Sequence, residues 1–96
     1  NGEVMAIIGF FPLWEGVAEV FAVPSKNIEH KTGYVFHVRS EIERIMFDHD
    51  LRRVQTNSID DPKTNRWMEL LGFHKEGRLK QYSKDKDDYI AWARFA

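Results

Sequence analysis

Apolar residues form a continuous run near the start of the chain and fall into spaced stripes further on, so the period of the pattern changes from strand-like to helical. Val4 to Phe11 is an almost unbroken apolar run rich in isoleucine and phenylalanine, the pattern of a strand covered on both faces. Pro12-Leu13-Trp14-Glu15-Gly16 supplies a turn, and Val17 to Val23 resumes as a second strand, antiparallel to the first. Pro24 to Lys31 is polar, carries a proline and has no period, which predicts a loop leading into a helix that starts at Thr32-Gly33. In that helix Val35, Val38, Ile42 and Ile45 form an apolar stripe while Arg39, Glu41, Glu43 and Arg44 occupy other faces, and the pattern runs to about His49.

Arg53 to Ile59 follows at the distance of a crossover connection and reads as a strand despite its polarity. A second helix is predicted over Pro62 to Leu71. Asp61 is its N-cap carboxylate, Pro62 its first residue, and Trp67, Leu70 and Leu71 share one face. Gly72 stands where the chain enters the left-handed region after the helix, and Phe73 packs back on the last turn. Phe73 to Tyr82 and Tyr89 to Phe95 read as two strands around the charged turn Ser83 to Asp88, the latter with both sides covered. The order strand, strand, helix, strand, helix, strand, strand predicts a single α/β domain over residues 1–96. Its sheet is mixed and mainly antiparallel, with a right-handed crossover between the second and third strands.

Composition narrows the classes of function. Ninety-six residues with 43% hydrophobic content allow one small packed core. Fourteen basic and fifteen acidic residues leave a net charge of −1 without a basic stripe, which argues against nucleic acid as a partner. The absence of cysteine excludes disulfides and thiolate chemistry and suits a reducing compartment, so cytoplasm is the expected location. Val4 to Leu13 is interrupted by Gly9 and Pro12 and is too short to span a bilayer, so no membrane association is expected. His30, His37, His49 and His74 lack the close pairing of a zinc site, and no metal is expected. The opening Asn1-Gly2, with no initiator methionine, reads as a hairpin turn after a preceding strand, so an N-terminal section is expected upstream. An open Val4 to Phe11 edge would then pair with a second copy, giving a homodimer.

The element order, together with Arg66-Trp67-Met68-Glu69-Leu70-Leu71-Gly72-Phe73 and Glu76-Gly77, resembles the C-terminal two thirds of the GNAT superfamily of N-acetyltransferases over most of this chain. The resemblance implies acetyl-coenzyme A as co-substrate and direct transfer of its acetyl group to an amine, on a small molecule or a protein. It also implies that the strand Val17 to Val23 splays from its neighbour, so that Val20, Phe21, Ala22 and Val23 pair with the pantetheine arm. The family's pyrophosphate pattern is Gln or Arg, two residues, Gly, one residue, then Gly or Ala. It aligns with His30, Lys31, Thr32, Gly33, Tyr34 and Val35. Gly33 is retained, His30 replaces Gln or Arg, and Val35 sets a β-branched residue where a small one is usual. Independently of the family, a helix N-terminus favours an anion, and Lys31, Thr32 and Gly33 suit phosphate. In the competing reading Thr32 caps a core helix and Lys31 is solvated.

The family often places a tyrosine general acid four residues before the glycine, a position held here by Met68. Methionine cannot donate a proton, so Tyr82 or water takes that role, or the acid is dispensable. Glu19, inside the coenzyme strand, is the carboxylate best placed to deprotonate an ammonium, and burial there would raise its pKa. A solvent-facing or arginine-paired Glu19 is the alternative, and Glu15 on the turn is a second candidate base. Asp61 aligns with a family asparagine near pantetheine but already has a full explanation as the N-cap, which is the favoured reading. Trp14, on the turn, is a candidate for an acceptor pocket, whereas Trp67 and Trp92 sit in periodic elements and read as core. The acceptor would be set by N-terminal helices, with the strands bearing Tyr82 and Tyr89 contributing. The Arg66 to Gly77 stretch looks most like members that modify protein N-termini or small amines, and like divergent bacteriophage-encoded relatives. The alternative function is a degenerate scaffold or virion-associated interaction module without transferase activity, for which Val35 and Met68 speak.

Overall fold

A computed structural model describes residues 7–23 and 32–96. In chain order it contains β1 (Ile7–Trp14), β2 (Val17–Val23), α1 (Thr32–Asp48), β3 (Arg53–Ile59), α2 (Pro62–Leu70), β4 (His74–Leu79) and β5 (Tyr89–Phe95). The strands form one five-stranded sheet in the order β1-β2-β3-β5-β4. Only β2 and β3 pair in parallel, as their connection through α1 requires; the other three pairs are antiparallel. The expected mixed, mainly antiparallel sheet with two helices is thus the observed architecture.

Both helices pack against the same core. Alternate residues of the central strands, Ala18 and Val20 on β2, Val54 on β3, Ile90 and Trp92 on β5, point to one face. There they meet Val35, Val38, Ile42 and Met46 of α1 and Trp67, Met68 and Leu71 around α2. Each of these large apolar side chains contributes about 1.5–3 kcal/mol by leaving water. Trp67 and Trp92 are core residues, as their spacing predicts, and Trp14 is exposed.

The opposite face of the first hairpin is open, which corrects the reading of Val4 to Phe11 as covered on both sides. Phe11 and Phe21 are each 48% exposed and stack on one another with ring centroids 5.5 Å apart. The described strand also continues past Phe11 to Trp14, and residues 4–6 of the predicted run lie outside the described residues. Proline does not end it, because β1 is an edge. Arg53 N–H donates to Gly16 C=O, which sets the alternation along β2: the backbone groups of even-numbered residues face β3 and those of odd-numbered residues face β1. Pro12 lies opposite Ala18, so the N–H that proline lacks would have pointed to the free edge.

The turn therefore shrinks from the predicted Pro12 to Gly16 to Glu15-Gly16, with Gly16 at φ 82°. Arg52 closes over this glycine and donates to Glu15 C=O at 3.1 Å, while the Arg52 and Arg53 N–H groups both reach Gly16 C=O.

Both helices end in the same way. After α2, Gly72 adopts φ 95°, its N–H reaches Glu69 C=O at 3.0 Å, and Phe73 N–H reaches Met68 C=O at 3.1 Å. After α1, Asp50 occupies the equivalent place at φ 53°, with Leu51 N–H on Met46 C=O at 2.8 Å and Asp50 N–H on Phe47 C=O at 3.2 Å. Buried Met46 and Leu51, and Met68 and Phe73, supply the apolar contact that accompanies this motif. Leu71 is consequently the cap of α2 rather than its last residue, and Phe73 belongs to the cap rather than to β4. β4 also stops at Leu79, short of the predicted Tyr82, because Gln81 turns at φ 50° and Tyr82 N–H is taken by Asp87 C=O at 2.9 Å.

Candidate functional site

The two parallel strands separate partway along their length. β2 and β3 are paired only at Val17–Arg53, Ala18–Val54 and Glu19–Gln55. Beyond that point β2 stays bonded to β1 as far as Val23, and β3 stays bonded to β5 as far as Ile59. Each strand is held on its outer side, and the inner edges open into a V-shaped cleft. Its floor is apolar, made of Ile42, Met68, Leu71 and Phe73; Val20 and Phe21 form one wall, and Thr56, Asn57 and Ser58 the other.

The strand alternation defines what the walls offer. On β2 the C=O of Val20 and both backbone groups of Ala22 face the cleft, the Val20 N–H being used in the Glu19–Gln55 pairing, whereas the groups of Phe21 and Val23 belong to the β1 ladder. On β3 the backbone of Asn57 and Ile59 faces the cleft, and Ile59 C=O is taken by Asp61 N–H at 3.1 Å. Strand backbone groups left without a neighbouring strand call for a partner, and an extended amide chain laid along β2 supplies one as an added strand. The first turns of α1 and α2 lie at the same end, since each helix follows one of the diverging strands. In open α/β sheets this carboxyl end of the strands is the usual ligand end.

Of the candidate coenzyme residues, Val20 and Ala22 present backbone to the cleft. Thr32, Gly33 and Tyr34 form the first turn of α1, and His30 and Lys31 lie outside the described residues. Val35 is 4% exposed within the core, so its side chain does not stand in front of the helix N-terminus and only its backbone is available to an anion. Glu19 is the last paired residue before the strands part. It sits on the face opposite the helices and is only partly buried, not enclosed as expected for a base tuned by burial.

The candidate acid is elsewhere. Tyr82 lies in the turn beyond β4, exposed, with its ring 5.2 Å from that of Tyr89. β3 and β5 stand between β2 and β4, a lateral separation of about 14 Å at ordinary strand spacing, so Glu19 and Tyr82 are not brought together. Met68, at the family's tyrosine position, does line the cleft floor. Glu15 and Trp14 are at the far end of β2, away from the cleft mouth.

Asp61 is occupied as the N-cap of α2. It accepts from the Thr64 hydroxyl and from Lys63 N–H at 3.1 Å, and these bonds, Thr64 first, hold its carboxyl below the usual carboxylate value. Beside it Asp60 accepts from Asn65 Nδ2 at 2.9 Å and from Arg78, which lowers its pKa in the same direction. The polar wall of Thr56, Asn57 and Ser58 was not among the sequence candidates. Its signal was there: an interior strand reading Gln55-Thr56-Asn57-Ser58 is too polar for a place between two neighbours unless something polar faces it. Among the described residues no cluster of side chains could hold a metal ion, and no helix is long and apolar enough to cross a membrane.

A mixed sheet that parts between its parallel strands, with a helix starting after each, is the fold of the GNAT acetyltransferases. Solved structures bear this out. The chain superposes on the ribosomal-protein-S5-alanine acetyltransferase of Vibrio fischeri with a TM-score of 0.75 at 19% identity, over 92% of this chain and 52% of that one. The spermidine N-acetyltransferase of Vibrio cholerae gives 0.78 at 14% identity, over 94% of this chain and 57% of that one. A GNAT family acetyltransferase from Elizabethkingia anophelis with acetyl-coenzyme A bound gives 0.74 at 9% identity, over 100% and 71%. The chain thus spans a little over half the length of the first two. No protein-family model and no curated protein sequence matches it.

Proposed function

We propose that this chain forms the coenzyme-binding part of an N-acetyltransferase that passes the acetyl group of acetyl-coenzyme A directly to a primary amine. The observation that carries the proposal is the parting of β2 from β3 after Glu19 and Gln55. Pantetheine is an extended chain with two amides, and the Val20 C=O with the backbone of Ala22 matches it as an added strand. The first turn of α1, with Lys31 and His30 just before it, suits the pyrophosphate. Burial of the Val35 side chain removes the steric objection that its position in the sequence raised.

Direct transfer asks chiefly for proximity, so the methionine at position 68 does not preclude it. Glu19, at the apex of the cleft, takes the part of base in this reading, and Tyr82 is too far across the sheet to act with it. Neighbours that act on an alanine amine or on spermidine support a protein N-terminus or a small polyamine as the acceptor class. A cytoplasmic location fits the absence of cysteine. Pairing of two copies along β1 fits its free backbone edge and the exposed Phe11–Phe21 stack. The second reading, a scaffold that keeps the fold without catalysis, draws on Met68 at the cleft floor.

Calorimetric titration with acetyl-coenzyme A separates the two. Saturable binding that weakens several-fold in Lys31→Ala and is lost in Gly33→Val is the expected result. A folded protein that takes up no coenzyme would refute the transferase reading and leave the scaffold.

A further inference from the structure

One side chain on the polar wall of the cleft has its hydrogen bonding settled by the core. Trp92 is 1% exposed at the centre of the sheet, and its indole Nε1–H donates to Ser58 Oγ at 2.9 Å. An indole nitrogen can only donate, so Ser58 accepts in this pair and must send its own proton elsewhere. Among the described residues that bond from Trp92 is the only one the Ser58 side chain makes. Rotation offers no escape, because Trp92 is packed on all sides. Accepting a hydrogen bond also polarises the hydroxyl and makes it a better donor.

The surroundings increase the worth of that donor. Met68, Leu71 and Val20 give the cleft an apolar lining in which a developing negative charge is poorly solvated. Thr56 lies on the same side of β3 but is not held by a fixed partner in the way Ser58 is, and Asn57 points its side chain to the opposite face. Acyl transfer from a thioester creates such a charge. The amine nitrogen bonds to the carbonyl carbon, the C–S bond breaks with its electron pair going to sulfur, and the nitrogen gives up a proton to water or base.

We infer that Ser58 Oγ–H donates a hydrogen bond to the sulfur of the coenzyme and stabilises the departing thiolate without giving up its own proton. This assignment rests on the acetyl-coenzyme A reading above. It gives the cleft a thiolate-stabilising group on β3, where the helix position opposite carries only Met68.

The test compares coenzyme A with desulfo-coenzyme A, which lacks the sulfur, on the wild-type protein, Ser58→Ala and Ser58→Thr. Thiol ionisation is followed by thiolate absorbance, and affinities by calorimetry. In the wild type the bound thiol should ionise at lower pH than free coenzyme A. Ser58→Ala should raise that midpoint by about one pH unit, roughly the tenfold effect of a hydrogen bond to a charged group, and leave affinity for the desulfo form unchanged. Ser58→Thr should keep the wild-type midpoint. Equal loss of affinity for both ligands in Ser58→Ala, or an unshifted titration, overturns the Ser58 assignment alone. A wild-type bound thiol that ionises no lower than the free one overturns it without reference to any variant, including one that fails to fold. Absence of binding by either ligand brings down the coenzyme reading as well.

Discussion

Gly72→Ala is expected to destabilise the fold far more than the same change five residues on, at Gly77. Gly72 holds φ 95°, a left-handed conformation that costs an ordinary residue about 1–2 kcal/mol. An added Cβ there would also meet the Arg94 guanidinium, with Cζ and Nη1 each at 3.1 Å and Nε at 3.3 Å. That guanidinium is engaged: Nη1 donates to Leu71 C=O at 2.8 Å, and Nη2 pairs with Glu43 of α1. It joins the end of α2 to β5 and α1, and moving it puts at risk a hydrogen bond of about 1 kcal/mol. Reduced freedom of the unfolded chain returns roughly 0.4–1 kcal/mol. The net loss is about 2 kcal/mol, or a fall in Tm of roughly 8–16 °C for a chain of this size. At Gly77 nothing lies within 4 Å of an added Cβ and φ is ordinary, so Gly77→Ala should stay within about 0.5 kcal/mol of wild type. Urea unfolding of the two variants, followed by tryptophan fluorescence, reads the difference. Equal stability of Gly72→Ala and Gly77→Ala would refute the account of the α2 cap and of the role given to Arg94.

Asp50→Gly is the converse substitution: with φ 53° at the end of α1, glycine should raise stability by about 0.5–1 kcal/mol, read as a higher urea midpoint at unchanged m-value. Asp61→Ala should cost about 1 kcal/mol at neutral pH through loss of the α2 N-cap. Because the Thr64 hydroxyl holds the Asp61 pKa down, the carboxylate's contribution is complete above its unfolded value of about 3.9 and is lost as pH falls through the lower folded value. Asp61→Asn should therefore lose less stability than wild type on acidification below about pH 4, and an identical acid limb in the two proteins would contradict the cap.

Local structure was legible in the sequence wherever the instruction lies within a few residues. The Val35, Val38 and Ile42 stripe, the Asp61-Pro62 start of α2 and its Leu71-Gly72-Phe73 stop each combine a periodic face or cap chemistry with its own neighbours, and each stands where it was expected. Asp50 in the left-handed cap of α1 was harder to see, since aspartate occupies that conformation less often than glycine and carries no unique mark. The resemblance to acetyltransferases was also readable, from the order of elements and the stretch around Gly72.

The site was another matter. The cleft exists because residues 17–19 pair with residues 53–55 and the next residues of both strands do not, a competition between contacts more than thirty positions apart. No local pattern records where that pairing stops. The same distance dependence placed Tyr82 across the sheet from Glu19 and left Phe11 and Phe21 on an open face. It also set Trp92 against Ser58, a contact over 34 residues that holds the hydroxyl in one state. Sequence determined the helices, their ends and the class of sheet, because helix and turn energetics are local; tertiary structure alone decided which backbone groups were left unpaired, because strand pairing is not.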